Sequence, residues 1–451
     1  MAETDRQKTY ILGILTLVYA FNFIDRQILG ILAPFIALDL GFDDSRIGLL
    51  TGFYFALFYT TLALPIAWLA DRANRVTIVA VSLAIWSAFT VLSGFVTSFA
   101  MLALMRIGVA IGEAGGSPPS HSIISDLFKP EERARSLAIY SLGIPLGIML
   151  AYFISASLAG AEDTNWRLIL IVVGIPGILL AAVLKLTVKD PPRGQFDKTP
   201  NSTSVPFLPA LKQLLSIKSY WAMCFGIAFA SFTGYALSAF LVTYVLRAFP
   251  GVPVPSLLIA LGVINGTTYA GGVFVGGIFA ERWAKKTVAG YAFGPALGVA
   301  IAALALIAAL VTRNYTLYLI LIAIYLFFAG FYLGPSLSVA QNLAPTSVRA
   351  TSSAIFFFVL NMIALGGGPT IAGMISTHYA EEYGVDGGLR IALFAMVIPL
   401  ILSVISFLIA GRWLPADWAK AQAASSPPGD ANQIALAERN DSDPHPQRAQ
   451  P

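Results

Sequence analysis

The chain has 451 residues, of which 57% are apolar and 12% charged; soluble domains carry about 25% charged residues, so a water-soluble globule is excluded. The formal net charge of +4 comes from basic residues scattered beside apolar segments, which implies no nucleic-acid partner. Cys224 is the single cysteine, and His121, His378 and His445 lack metal-ligand spacing. Neither a disulfide, a metal nor a cofactor is therefore expected.

Apolar runs of eighteen or more residues recur along most of the chain, each long enough to cross a hydrocarbon core about 30 Å thick. Runs without alternation exclude a β-barrel, so the expected fold is all-α. The polar start MAETDRQK leads into a span that contains an acid and an arginine, which does not read as a cleavable signal. The first six spans are expected at about 10–36, 47–69, 76–98, 100–124, 136–158 and 167–187. The next six fall at about 219–246, 257–280, 288–311, 316–340, 351–377 and 390–412. The layout is thus an N-terminal bundle over 1–187, a linker over 188–218, a C-terminal bundle over 219–412 and a disordered polar tail over 413–451.

Arg6, Lys8, Arg72, Arg75, Lys129, Arg133, Arg135, Arg282, Lys285, Lys286 and Arg349 fall beside one set of loops. The opposite loops carry single arginines: Arg46, Arg167, Arg247, Arg313 and Arg390. By the positive-inside rule, both termini and the linker are cytoplasmic. A repeat is visible at a spacing of about 210 residues: AWLADRANR at 67–75 is echoed by GIFAERWAK at 277–285, and Pro130, Arg133 and Ala138 by Pro345, Arg349 and Ala354. Two parallel six-span halves are the layout of a rocking transporter.

Asp25, Arg26, Arg106 and Glu113 are expected well inside the membrane, where one charge costs about 2.5–3.5 kcal/mol on insertion scales. Arg106 and Glu113 share a helix face, as do Asn22 and Asp25. These residues are expected to face a central pathway as a polar cluster between spans 1 and 4. Asp25 and Glu113 are the proton-coupling candidates, because burial and nearby arginines pull a carboxylate's ionisation in opposite directions. The alternative is a permanent set of ion pairs that fixes helix packing. Spans 7–11 hold no Asp, Glu, Lys or Arg in their interiors, yet carry Phe232, Tyr235, Phe240, Tyr325, Phe327, Phe328, Phe331, Tyr332, Phe356, Phe357 and Phe358. An aromatic wall facing a charged one suits an amphiphile, although any single ring can equally face lipid or a neighbouring helix. The candidate solute-binding residues are Asn22, Arg26, Arg106, Tyr235, Phe331, Tyr332 and Asn361, with Asn265 and Gln341 as further polar positions. Glycine and proline cluster in GEAGGSPP, LGIPLG and GGGPTIAG, where gating bends and close packing are both consistent readings.

The loop after span 2, with Ala67, Asp71, Arg72 and Arg75, resembles the hallmark loop of the major facilitator superfamily, with alanine in place of the usual glycine. FNFIDRQ in span 1, and RIGVAIGEAGGSPPSHSIISDLFKPEERARSLA across span 4, resemble the Spinster branch. The resemblance implies two pseudo-symmetric six-helix bundles and gradient-linked or proton-linked movement of lysolipids, sphingoid-type lipids or another amphipathic solute. It also implies a cytoplasmic gate of Asp71, Arg72, Arg75, Arg133, Glu281, Arg282 and Arg349, with Asp71 and Glu281 placed at the starts of spans 3 and 9, where helix dipoles favour an acid. A topology-setting basic loop is the simpler reading of those arginines.

The expected protein is therefore a monomeric multi-pass carrier of the inner (plasma) membrane, with membrane lipids, protons and an amphipathic small molecule or lipid as partners. A carrier of a small hydrophilic organic anion is the alternative within transport. A membrane-embedded enzyme is disfavoured, because no nucleophile, base and orienting group fall into a motif.

Overall fold

The computed structural model describes residues 2–70, 72–160, 164–194, 207–345 and 348–425. The first half comprises α1 (Ala2–Leu40), α2 (Asp44–Thr51), α3 (Phe53–Ala70), α4 (Arg75–Ser93), α5 (Phe99–Glu113), α6 (Ser117–Leu127), α7 (Pro130–Ser141), α8 (Gly143–Leu158) and α9 (Trp166–Thr187). A short helix, α10 (Phe207–Leu215), precedes the second half. That half comprises α11 (Lys218–Ala248), α12 (Val254–Ile264), α13 (Ala270–Ala284), α14 (Gly290–Val311), α15 (Tyr315–Ala329), α16 (Leu333–Leu343), α17 (Arg349–Leu360), α18 (Gly367–Ala395) and α19 (Val397–Ser425). Turns of π-helix at Asn265–Tyr269 and Asn361–Gly366 join α12 to α13 and α17 to α18. Among the described residues the only strand-like pairing is one bridge, Ala159 to Thr164, so the all-helical expectation holds.

Local chemistry sets where the helices start. Asp43, Asn74, Ser98, Asn165 and Asn314 each accept a backbone N–H of the first turn that follows, satisfying a donor that would otherwise be unpaired. Among the described residues, ten helical stretches are long and apolar enough to cross a membrane, and one of them, Thr351–Ala423, covers the last two expected spans. The span carrying Asp25 and Arg26, α1, is outside that set. Its polar residues are compensated by packing rather than by a continuous apolar surface.

Three boundaries differ from the sequence expectation. Glu281 sits in the last turn of α13, not at the start of the next span. The helix runs on through GIFAERWA, so the dipole at Glu281 disfavours rather than favours the acid. The polar tail does not begin at 413, because α19 continues to Ser425. Two contacts hold that extension: Asp417 accepts from the N–H (3.0 Å) and Oγ (2.7 Å) of Ser219 at the start of α11, and Trp418 stacks on Tyr291. Residues 426–451 lie outside the described residues. The linker contains α10, whose Leu214 is fully buried.

The two halves meet at one end. There α2 lies against α18, with Arg247 of α11 donating to both carboxylate oxygens of Asp44 at 2.7 and 2.9 Å. Ser376 adds a hydrogen bond to Asp44 at 2.6 Å, and Thr377 accepts from the Ser45 N–H at 2.9 Å. The backbones approach so closely that a Cβ on Gly48 would stand 2.3 Å from the Pro369 carbonyl, and one on Gly373 2.3 Å from that of Asp44. Only glycine admits this contact. Nearby, Ser238 of α11 bonds Gln27 of α1, and α12 packs on α8 where Gly262 faces Tyr152.

The apolar interior follows the same division. One core cluster runs without a break from Ile24–Ile36 and Ile47 of the first half into α11, α14 and α18. The other, built on Leu12, Val79, Trp86 and Ile123, belongs to the first half, apart from Leu365 and the edge of Tyr235. The halves are thus fused near Asp44 and separate toward α6, α13 and α16.

Removing one partner of a buried ion pair costs about 3–5 kcal/mol, and each 1.4 kcal/mol changes a population about tenfold. Asp44→Asn is therefore expected to raise the population open at this end by at least tenfold, read as longer distances between spin labels on α1 and α18. An unchanged distribution would show that the ion pair does not hold the seal.

Candidate functional site

Span 1 delivers Asn22, Asp25 and Arg26 to the middle of the first half, and α5 delivers Arg106 and Glu113 opposite them. Arg26 binds Glu113 through its NH2 at 2.8 Å and its Nε at 3.3 Å. Asn22, one turn earlier on α1, is 3% exposed. Asp25 accepts from Thr90 of α4, while Arg106 donates at 3.4 Å to the backbone carbonyl of Asp25, not to either acid's side chain. Each of the four charged residues thus has a defined neighbour, and the set is electrically neutral when all are ionised.

Their exposure separates them. Asp25 is 0% exposed, Glu113 1% and Arg106 4%, whereas the Arg26 side chain keeps 12% of its surface accessible. Asp25, Glu113 and Arg106 are thus buried within the bundle, and Arg26 alone of the four keeps appreciable accessible surface. Phe55 stands against both guanidiniums, 5.4 Å from Arg26 and 5.0 Å from Arg106, and Thr90 of α4 covers one oxygen of Asp25. Arg26 is the member at the surface, ringed by Phe23 (5.2 Å) and Tyr59 (4.8 Å). A cation over aromatic faces retains attraction in a poorly hydrated place. Among the described residues, Asp25 Oδ2, Glu113 Oε1, Arg106 Nε and Trp86 Nε1 have no hydrogen-bond partner. Buried polar atoms left in that state are costly.

Across the boundary, Tyr235 of α11 approaches Arg26. Behind it Ser231 donates to the Tyr332 hydroxyl at 3.1 Å, and Tyr269, in the π-helical turn, approaches the same phenol. The second half thus places hydroxyls, not only apolar rings, in the region behind Tyr235. Phe331 is not brought there: it packs with Phe279, Phe327 and Phe328, against Gly276 and Gly298. Phe240, Tyr325 and Phe356 are likewise buried in their own bundle. Asn361 opens the second π-helical turn, half-buried beside the seal, and Asn265 opens the first, its amide donating to the Leu261 carbonyl. Tyr59, Thr90 and Tyr269 were not singled out from the sequence, since an aromatic or threonine in an apolar span carries no signal of its neighbours.

The residues expected at the cytoplasmic gate are dispersed. Asp71 lies outside the described residues. Arg72 is exposed, stacks 4.1 Å from the Trp68 ring and donates to the Trp68 carbonyl. Arg133 donates to the carbonyls of Ser125 and Phe128, and Glu281 and Arg282 are exposed on α13. Arg349 is the first residue of α17. Arg75 is 1% exposed. It binds Asp126, Asp190 and Ser122, and donates to the Pro191 carbonyl at 2.6 Å. It fastens the segment leaving α9 onto α4 and α6, and every one of these partners lies in or next to the first half.

Ten apolar helical stretches arranged as two packed halves, with a buried ionic cluster at their boundary, define a membrane transporter. The Major Facilitator Superfamily model matches residues 15–369, and the chain belongs to that superfamily. Within it, the chain is of the Spinster branch. A bacterial homologue of the human lysosomal transporter Spinster, solved inward-facing and unoccupied, superposes with a TM-score of 0.83 at 32% identity, over 91% of this chain and 98% of that one. An MFS-type efflux pump of Mycolicibacterium smegmatis is 29% identical over 414 residues, 89% of this chain and 92% of the pump. Protein spinster of Drosophila melanogaster is 31% identical over 239 residues, 53% of this chain and 39% of the fly protein, so less than half of that protein is spanned. A sphingosine-1-phosphate transporter of Danio rerio is 27% identical over 394 residues, 83% of this chain and 77% of that protein.

Replacing Arg75 would leave Asp126 and Asp190 without their cation in a largely buried place, a loss of about 3–5 kcal/mol. Arg75→Ala is expected to lower the apparent melting temperature of the purified protein by several degrees, whereas Arg72→Ala leaves it nearly unchanged. Equal effects of the two would refute the assignment.

Proposed function

We propose that the chain moves an amphipathic, lipid-like organic solute of lysolipid or sphingoid type by alternating access, with proton movement coupled to the cycle. The supporting observation is Arg26: a cation on the boundary between the halves, held by Glu113 on one side and met by Tyr235 on the other. An anionic headgroup arriving there competes with Glu113 for the guanidinium. Once Arg26 turns to the solute, Glu113 is a buried carboxylate without its cation, and a proton on Oε1 removes the uncompensated charge. The chain folded behind Tyr235 offers aromatic and aliphatic surface for the solute's hydrocarbon part.

With both termini and the linker cytoplasmic, the Asp44 end is the outer one, and the structure is open to the cytoplasm. The protein acts as a monomer in the plasma membrane of its cell, and the gate residues at the inner end come together only when the halves rock shut there. The sphingosine-1-phosphate transporter among its relatives supports the solute class. The efflux pump, which matches over a larger share of both chains, favours a second reading: export of an organic anion of another type.

Reconstituted protein tests the coupling. Glu113→Gln is expected to abolish the response of flux to an imposed pH step while leaving the protein folded, and Arg26→Ala to reduce flux about a hundredfold or more. A pH response that survives Glu113→Gln discards the coupling role. For the solute class, a single-chain phospholipid or sphingoid phosphate is expected to raise the melting temperature, as binding at a hundred times Kd adds about 2.7 kcal/mol. Stabilisation by short hydrophilic carboxylates alone favours the second reading.

A further inference from the structure

Only five arginines were expected on the loops at the sealed end, and the structure gives them different surroundings. Arg46 stacks on Phe42 and Phe99, and Arg167 pairs with Asp39. The other three come from separate places in the second half: Arg247 from the end of α11, Arg313 from the turn after α14, and Arg390 from α18. All three line one cavity of about 300 Å³, together with Tyr244, Thr312 and Asp386. Positively charged side chains are disfavoured on loops of this side, so convergence of three on one cavity asks for a purpose beyond topology.

Part of that purpose is structural. Arg390 donates through Nε to the Leu310 carbonyl at the end of α14, at 3.0 Å, and Arg247 holds Asp44 while also donating to the Val385 carbonyl. Those bonds do not occupy the remaining guanidinium edges. The acids that face the group are Asp386 in the lining and Asp44 beneath Arg247; Glu381 and Glu382 lie exposed before the break in α18 at Gly384, and Asp386 after it. Three guanidiniums against Asp386 and Asp44 leave the group one positive charge in excess. The Tyr244 side chain, 4% exposed, contributes a phenol to its wall, and a planar guanidinium matches phosphate or carboxylate geometry.

We propose that this cavity is an anion-binding vestibule for a phosphate or carboxylate group, and that its occupant competes with Asp44 for Arg247 and so loosens the seal between α2 and α18. An anion on the outer side then favours outward opening, because it interacts with Arg247 more strongly once Asp44 has let go. The same chemistry could arrive as free phosphate or as the headgroup of an amphiphile. The proposal rests on alternating access but not on the class of solute carried.

The test is a distance measurement on the full chain in nanodiscs of zwitterionic lipid, with spin labels at Leu38→Cys and Tyr383→Cys, both exposed positions flanking the seal; the native Cys224 is buried and escapes labelling. Inorganic phosphate is one arm and a single-chain phospholipid the other, each against chloride at equal ionic strength. At least one arm is expected to enlarge the long-distance population several-fold, and Arg313→Gln with Arg390→Lys to remove that response. Arg313→Gln alone, which leaves the Leu310 contact intact, is expected to weaken it at least threefold. A response to phosphate identifies a free-anion site, and a response to the lipid alone identifies a headgroup site. If neither arm moves the distribution, or the response persists in both variants, the vestibule is overturned. Since flux is not the readout, a wrong solute class leaves this result untouched.

Discussion

Everything at the centre of this molecule depends on the contact between Arg26 and Glu113. Two charges in a medium that solvates neither are tolerable only together, and here the pair sits where one partner touches the boundary and the other does not. Asp25 and Arg106 lie beside that contact, Asp25 held by the Thr90 hydroxyl and Arg106 by the Asp25 backbone carbonyl. The aromatic rings beside Arg26 exclude water without offering a competing anion. Consequently anything that draws Arg26 toward the second half changes what Glu113 must bind, and the rest of the cluster responds.

The two ends of the molecule solve different problems. Near Asp44, glycines let α2 and α18 touch backbone to backbone, and a bidentate ion pair with the Ser376 and Thr377 hydrogen bonds adds direction to the contact. At the other end the strongest electrostatic structure, around Arg75, lies wholly within and beside the first half. Arg72, Arg133, Glu281 and Arg349 are here spread over separate elements. One end is thus closed by packing between the halves, and the other is braced within the first.

Much of this was legible in the sequence because membrane insertion penalises charge so heavily. Asp25, Arg26, Arg106 and Glu113 stood out for that reason, and the break between bundles stood out because Pro, Ser and charged residues cannot continue an apolar helix. What stayed hidden depends on three-dimensional neighbours. The spacing of Arg106 and Glu113 gave a common face, but not the Phe55 ring that stands against the Arg106 guanidinium. Phe331 and Tyr332 are adjacent in sequence, yet one packs between helices and the other points a hydroxyl toward Ser231. Asp44 and Arg247 read as loop residues, and their pairing required the fold. Glu281 was misplaced because helix ends are the least certain part of any hydropathy pattern, and α19 outran its apolar stretch because Asp417 and Trp418 found partners on α11 and α14.

The strap that leaves α9 carries one more implication. Asp190 and Pro191 are clamped by Arg75, and Arg193 donates to the carbonyls of Ala70 and Ala73, so the covalent path between the bundles departs from a fixed anchor at the α3–α4 junction. The first bundle therefore keeps hold of the chain for several residues past the end of α9, and a change at Arg75 or Arg193 would free that exit without touching the cluster around Arg26.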